Sequence, residues 1–171
     1  MAAGSTYTPL ATTTLGSAAA TVTFSSIAST YTDLIVVCAN LVTNANGMTV
    51  GMFFNSNNSN YSNTYLAGNG SSASSGRNTY STKIGIGYVI GLGTGNPTNI
   101  ISFIQNYSNV NVYKTVLNRF NIFQTSTGEV GANVGLWSNT AAINAITFDL
   151  NDGTKTFATG STFTLYGIAA A

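Results

Sequence analysis

Hydrophobic and polar positions alternate in short runs along most of this chain. Ala20, Val22 and Phe24 alternate with Thr21, Thr23 and Ser25, and Ile146, Phe148 and Leu150 with Thr147, Asp149 and Asn151. A period of two is the mark of a strand with one buried face. Thr162 to Ile168 repeats it, whereas Leu34 to Val42 is apolar almost throughout and suits a central strand covered on both faces. Met48 to Phe54 follows Asn46-Gly47, a pair that favours the tight turns of hairpins. Lys83 to Ile90 puts Ile84, Ile86, Tyr88 and Ile90 on one face and Gly85 and Gly87 on the other, a spacing that fits close backbone approach or a bulge. Ile100 to Tyr107, Val112 to Phe123 and Glu129 to Trp137 read as further strands, and no stretch carries a long helical period. About ten strands at this spacing predict an all-β fold, an antiparallel β-sandwich with a jelly roll as the leading topology.

Two polar segments interrupt the pattern. Asn55 to Asn63 reads NSNNSNYSN and Asn69 to Asn78 reads NGSSASSGRN, and they bracket a short strand containing Tyr65 and Leu66. Neither segment has apolar anchors, so both are expected as exposed loops. Loops at one end of a sandwich often carry its binding function. The candidate contact surface is therefore Asn57, Asn60, Tyr61, Tyr65, Arg77 and Tyr80, whose phenol rings suit a sugar face or a protein contact. Trp137, in Gly-Leu-Trp-Ser, reads as core or subunit interface rather than a ligand platform. Residues 1–15, rich in Thr and Ala, precede the first clear strand. They read as an extended N-terminal arm without a core of its own, ordered by lying on a neighbour. Residues 16–171 read as one sandwich domain.

Charge changes the functional picture. The 171 residues include five Lys+Arg, four Asp+Glu, no His and one Cys, 5% charged in all. An ordinary domain carries about 25%. Ser, Thr and Asn supply 65 residues in their place. Acid–base and nucleophilic catalysis draw on the residues that are scarce here, so the chain reads as a non-enzyme with no cofactor. The glycines at 85, 87, 91, 93 and 95 miss the dinucleotide spacing. Asp149, Asn151, Asp152 and Gly153 come near a calcium loop, but the second acid and the glycine fall one residue early, which leaves a hairpin turn and no metal. The five cations are scattered and the net charge is +1, so no nucleic acid is expected. No apolar run approaches the ~20 residues of a membrane helix, and no basic segment followed by an apolar core marks a secretory signal. Cys38, inside Leu34-Ile-Val-Val-Cys-Ala39, reads as a small buried hydrophobe. A near-neutral surface favours self-association and points to an assembled state.

Several segments together carry a resemblance. Thr8-Pro-Leu-Ala-Thr-Thr-Thr-Leu-Gly-Ser17 leads into Ala20-Thr-Val-Thr-Phe-Ser-Ser-Ile27, followed by Tyr31-Thr-Asp-Leu-Ile-Val-Val37 and Tyr113-Lys-Thr-Val-Leu-Asn-Arg119. Glu129-Val-Gly-Ala-Asn-Val-Gly-Leu-Trp137 and Ala158-Thr-Gly-Ser-Thr-Phe-Thr-Leu-Tyr-Gly-Ile168 complete the series. It resembles small structural proteins of tailed bacteriophages, particularly those of cyanobacteria and other aquatic bacteria. The resemblance implies a jelly-roll virion protein, assembled in the host cytoplasm and used as a head-decoration (cement) protein. Its partner would be the major capsid protein or another virion protein, and it would form a homo-oligomer, with a trimer favoured. The alternative it implies is a tail-fibre or appendage module, binding host surface glycan through the Tyr and Asn of residues 55–80. No catalytic residues carry over.

Overall fold

The computed structural model describes residues 6–79, 82–87, 92–124 and 127–169. Among these residues twelve strands are formed: β1 (Tyr7–Thr14), β2 (Thr21–Phe24), β3 (Asp33–Leu41), β4 (Val50–Phe54), β5 (Tyr61–Gly68), β6 (Ala73–Asn78), β7 (Ile84–Ile86), β8 (Thr98–Ile104), β9 (Lys114–Gln124), β10 (Thr127–Trp137), β11 (Ile146–Leu150) and β12 (Thr162–Ile168). They build an eight-stranded sheet, β1-β12-β3-β8-β9-β10-β5-β6, and a four-stranded sheet, β2-β11-β4-β7. Every pairing is antiparallel.

The chain crosses repeatedly between sheets, giving β1-β12-β3-β8 opposite β2-β11-β4-β7. These eight strands are a jelly roll. The β5–β6 hairpin is inserted between β4 and β7, and the β9–β10 hairpin between β8 and β11. Both are added to the larger sheet beyond β8, and β7, the edge of the smaller sheet, lies against β10 and β5. Phe148 of β11 and Phe163 of β12 meet between the sheets at 5.5 Å, and Phe157 packs edge-on against Phe163 at 5.2 Å. Cys38 is fully buried in this core, and burial pushes its thiol pKa far up. β7 crosses over β10 where Gly135 leaves room: a Cβ there would lie 2.5 Å from Ile84.

Three expectations are corrected. The expected arm is strand β1, paired along its length with β12 of the same chain. Its threonines form cross-strand pairs, Thr12 with Thr164 at 3.2 Å and Thr14 with Thr162 at 3.0 Å between hydroxyls. β-branched residues favour the extended backbone, and Pro9 sits where an edge strand tolerates a missing amide, beside a bulge. Leu10 and Leu15 pack on the core, so the segment is anchored within its own domain. The second polar segment likewise contains an edge strand, β6, paired with β5. Third, the turns at Asn46-Gly47 and Asn151-Asp152-Gly153 do not close hairpins: β3 and β4, like β11 and β12, lie in different sheets. Local turn chemistry sets a chain reversal, not which sheet the next strand joins. Tyr88 and Ile90, read as the far half of one strand, lie outside the described residues.

Candidate functional site

The six residues singled out from sequence do not converge. Tyr61, expected on the surface, is 4% exposed. Its ring stacks on Trp137 with centroids 6.0 Å apart, and Phe54 packs against both at 6.1 and 5.5 Å. The Tyr61 hydroxyl accepts from the Phe54 amide at 2.8 Å and donates to the Asn57 carbonyl at 3.1 Å. Desolvation pushes its phenol pKa far up. Tyr61 is thus a core residue that pins the β4–β5 turn, and alternation within β5 is the reason: Tyr61, Asn63 and Ala67 face inward.

Asn57 and Asn60 lie in that turn. The Asn57 carboxamide oxygen accepts from the Ser59 amide at 2.8 Å and its hydroxyl at 2.9 Å, and Asn60 adopts a left-handed φ of 68°. Asn55, not singled out from sequence, anchors the same turn. Its Nδ2 donates to the Ala142 carbonyl at 2.7 Å, and its Oδ1 accepts from the amides of Asn144 and Ala145 at 2.9 and 3.1 Å. Much of this polar segment is therefore committed to holding backbone. Tyr65 is half-buried and lies over Gly76 of β6, where a Cβ would be 2.9 Å from its hydroxyl. Arg77 is exposed and, by alternation, points from the opposite face of the same hairpin. Tyr80 lies outside the described residues.

Most of the scarce ionic chemistry is used inside the fold. Lys114 has no exposed surface; its Nζ donates to the carbonyls of Asn109, Val112 and Thr140 at 2.6, 2.7 and 3.1 Å. Burial pulls its pKa down. Lys83 and Asp149 pair at 2.6 Å; burial raises the Asp149 pKa and the Lys83 ammonium opposes that rise. Near the expected calcium-like turn, Asn151 Oδ1 accepts from the Thr49 amide at 2.8 Å. Asp152 Oδ1 accepts from the Thr154 amide at 2.9 Å and hydroxyl at 2.7 Å, bonds that lower its pKa. No group of three or more His, Cys, Asp or Glu comes together among the described residues in a way that could hold a metal ion.

A buried amide relay, unnoticed in the sequence, ties the inserted hairpin to the jelly roll. Ser102 donates to Asn118 at 2.6 Å, Asn118 donates to Asn133 at 2.6 Å, and Asn133 donates to the Gly85 carbonyl. The relay runs β8, β9, β10 and then across to β7. Its signal in the sequence is alternation: Asn118 occupies the inward register between Val116 and Phe120.

The arrangement most open to a partner is the outer face of the inserted strands. Leu66, Leu117, Phe123, Val130 and Val134 are 46–66% exposed. Strand register brings them together: Phe103, Leu117 and Val134 lie in one row across β8, β9 and β10, and Ile101, Arg119, Ala132 and Leu66 in the next. Arg119 and Arg77 are its cations. The four carboxylates lie elsewhere, Asp33 on β3, Glu129 facing inward on β10, Asp149 on β11 and Asp152 in the following turn. Strands with one wet face normally alternate apolar and polar residues. In β9, Leu117 and Phe123 face outward while Val116, Phe120 and Ile122 face inward. That double-sided apolar character was the available clue. Comparison of the chain with protein-family models, with curated proteins and with solved structures finds no match.

Proposed function

We propose that this chain is an assembly protein of a bacteriophage virion, a head-decoration protein that acts through neutral polar and apolar contacts. The observation that carries the reading is the broad outer face of β9, β10 and β5, free of carboxylates, with its five exposed large apolar side chains. Such a face is what protein–protein association uses. Most of the molecule's ionic groups are held internally or in local turns, so contacts with a shell rest on hydroxyls, carboxamides and apolar groups. The resemblance to phage structural proteins supplies the biological setting.

A glycan-binding tail appendage is less well supported, because Tyr61 is packed against Trp137 and Tyr65 and Arg77 point to opposite faces. Immunogold labelling of intact particles of the phage that encodes the chain tests the reading. Gold over the head is the expected result; gold confined to the tail would replace decoration by an appendage role, and unlabelled particles would remove the virion reading.

A further inference from the structure

The chain has two Asn-Gly pairs, Asn46-Gly47 and Asn69-Gly70, and one Asp-Gly pair, Asp152-Gly153. In each, the glycine has no Cβ to hinder an approach of its amide to the preceding side-chain carbonyl carbon. The fold treats the three differently. Gly68 and Ala73 are the last partners of the β5–β6 ladder, and residues 69–72 form the exposed turn between them. There the Asn69 Oδ1 accepts from the Ser72 amide at 2.8 Å, the Ser71 amide at 3.0 Å and the Ser72 hydroxyl at 3.3 Å. We propose that Asn69 is a self-modification site, where the turn itself promotes conversion of the carboxamide to a carboxylate through a succinimide.

The Gly70 amide nitrogen attacks Cγ of Asn69, and its proton passes through water to Nδ2. The new bond is Cγ–N, the bond broken is Cγ–Nδ2, and ammonia leaves. Water then opens the ring: attack at Cγ gives aspartate, attack at the main-chain carbonyl gives isoaspartate. In the tetrahedral intermediate negative charge develops on Oδ1, where three donors already converge. No atom lies within 4 Å of the place a Cβ would take on Gly70, so its approach is open.

The other two pairs are held back. Asn46 Oδ1 accepts from the Thr94 amide at 2.9 Å and hydroxyl at 3.3 Å, and Met48 beside it is bridged to Leu92. Ring closure there must pull the carboxamide off a segment distant in sequence, whereas the donors to Asn69 ride on its own turn. Asp152, bonded to the Thr154 amide and hydroxyl, is held ionised, and a carboxylate offers no leaving group. An aspartate at position 69 would keep the three donors as charge-assisted bonds. Asn69 lines a shallow hollow of about 320 Å³ with Phe123 and Val130. The new charge therefore enters beside the apolar face and takes the net charge of the chain from +1 to zero.

The test is the rate of carboxylate formation at each site, followed by peptide mapping of the full chain held at neutral pH, folded and in concentrated urea. Both sites share one dipeptide, so their rates should converge in urea. In the folded chain Asn69 should convert at least ~5-fold faster than Asn46, and faster than it does in urea. Ser72→Ala removes one donor and should slow Asn69 by ~2–5-fold; circular dichroism melts check that the variant is folded. Asn69→Gln should remove the acidic species seen on ion exchange. Equal rates at the two sites in the fold, slower conversion of Asn69 folded than unfolded, indifference to Ser72→Ala, or an acidic species that survives Asn69→Gln would each overturn the proposal. The step rests on no part of the virion reading, and stands or falls apart from where gold labels the particle.

Discussion

At the scale of single residues, the abundant carboxamides do two kinds of work. Some hold turns or bulges: four of the six described non-glycine residues at positive φ are Asn40, within β3 where its register with β8 shifts, and Asn55, Asn60 and Asn106, because a short polar side chain tolerates the left-handed region. Others hold the interior, as the Ser102–Asn118–Asn133 relay does. Asn63 behaves differently, being 3% exposed with no hydrogen-bond partner for either carboxamide atom among the described residues. A buried donor or acceptor left unmade is costly, while replacing it by an apolar group of similar size can be neutral or favourable. Asn63→Leu should therefore leave stability within ~1 kcal/mol of the parent or raise it. Lys114→Met should cost ~2–4 kcal/mol, because it strips the ammonium from three carbonyls that it ties together. Urea unfolding of both variants checks the contrast; the opposite order would mean that Asn63, not Lys114, carries the local structure.

At the scale of elements, alternation was enough to recognise about ten strands, including the short one at Tyr65 and Leu66. It missed β1 and β6 because their sequences, YTPLATTT and ASSGRN, offer little apolar contrast. Edge strands are held largely by the neighbour's backbone, and that partnership leaves only a weak mark on composition. β1 is ordered by β12 and by the burial of Leu10, so removing residues 2–14 should destabilise the domain and not simply release an arm. The expected loss is ~3 kcal/mol, from a lost ladder and one leucine's burial, read as a lower urea midpoint. An unchanged midpoint would mean the segment is dispensable to the fold.

At the scale of the whole molecule, the shortage of ionic groups predicts a flat response to pH near neutrality. There is no His to titrate there. The raised pKa of Asp149 gives a stabilising contribution present below the ordinary carboxylate value of 3.8 and withdrawn as pH climbs through its folded value. The lowered pKa of Asp152 gives one present above 3.8 and lost as pH falls through its folded value. On the alkaline side, Cys38 and Tyr61 resist ionisation in the fold, so stability declines once the unfolded thiol and phenol ionise, near 9.0 and 10.0. Lys114 works in the other sense: its unfolded form keeps its proton longer, so the cost of burying it is relieved as pH rises toward 10.5. The melting temperature should change by no more than ~2 °C between about pH 6 and pH 8, and fall above about pH 9 if the buried thiol and phenol outweigh Lys114. A steep slope inside the neutral window would point to a coupled group other than these five.

The chain by itself determined its class. Period-two alternation, scarce charge and frequent turn residues specify antiparallel sheets, because each is a local property of the backbone and its immediate side chains. Only the tertiary structure decided which sheet each strand joined and which face stayed open. Tyr61 reads as a surface aromatic among asparagines until Trp137, 76 positions away by number, closes over it. Leu117 and Val134 read as ordinary strand residues until the pairing of β9 with β10 sets them side by side on the outer face of the larger sheet. Burial is set by partners distant in sequence, so a contact surface made by what fails to be covered exists only once the sheets have closed.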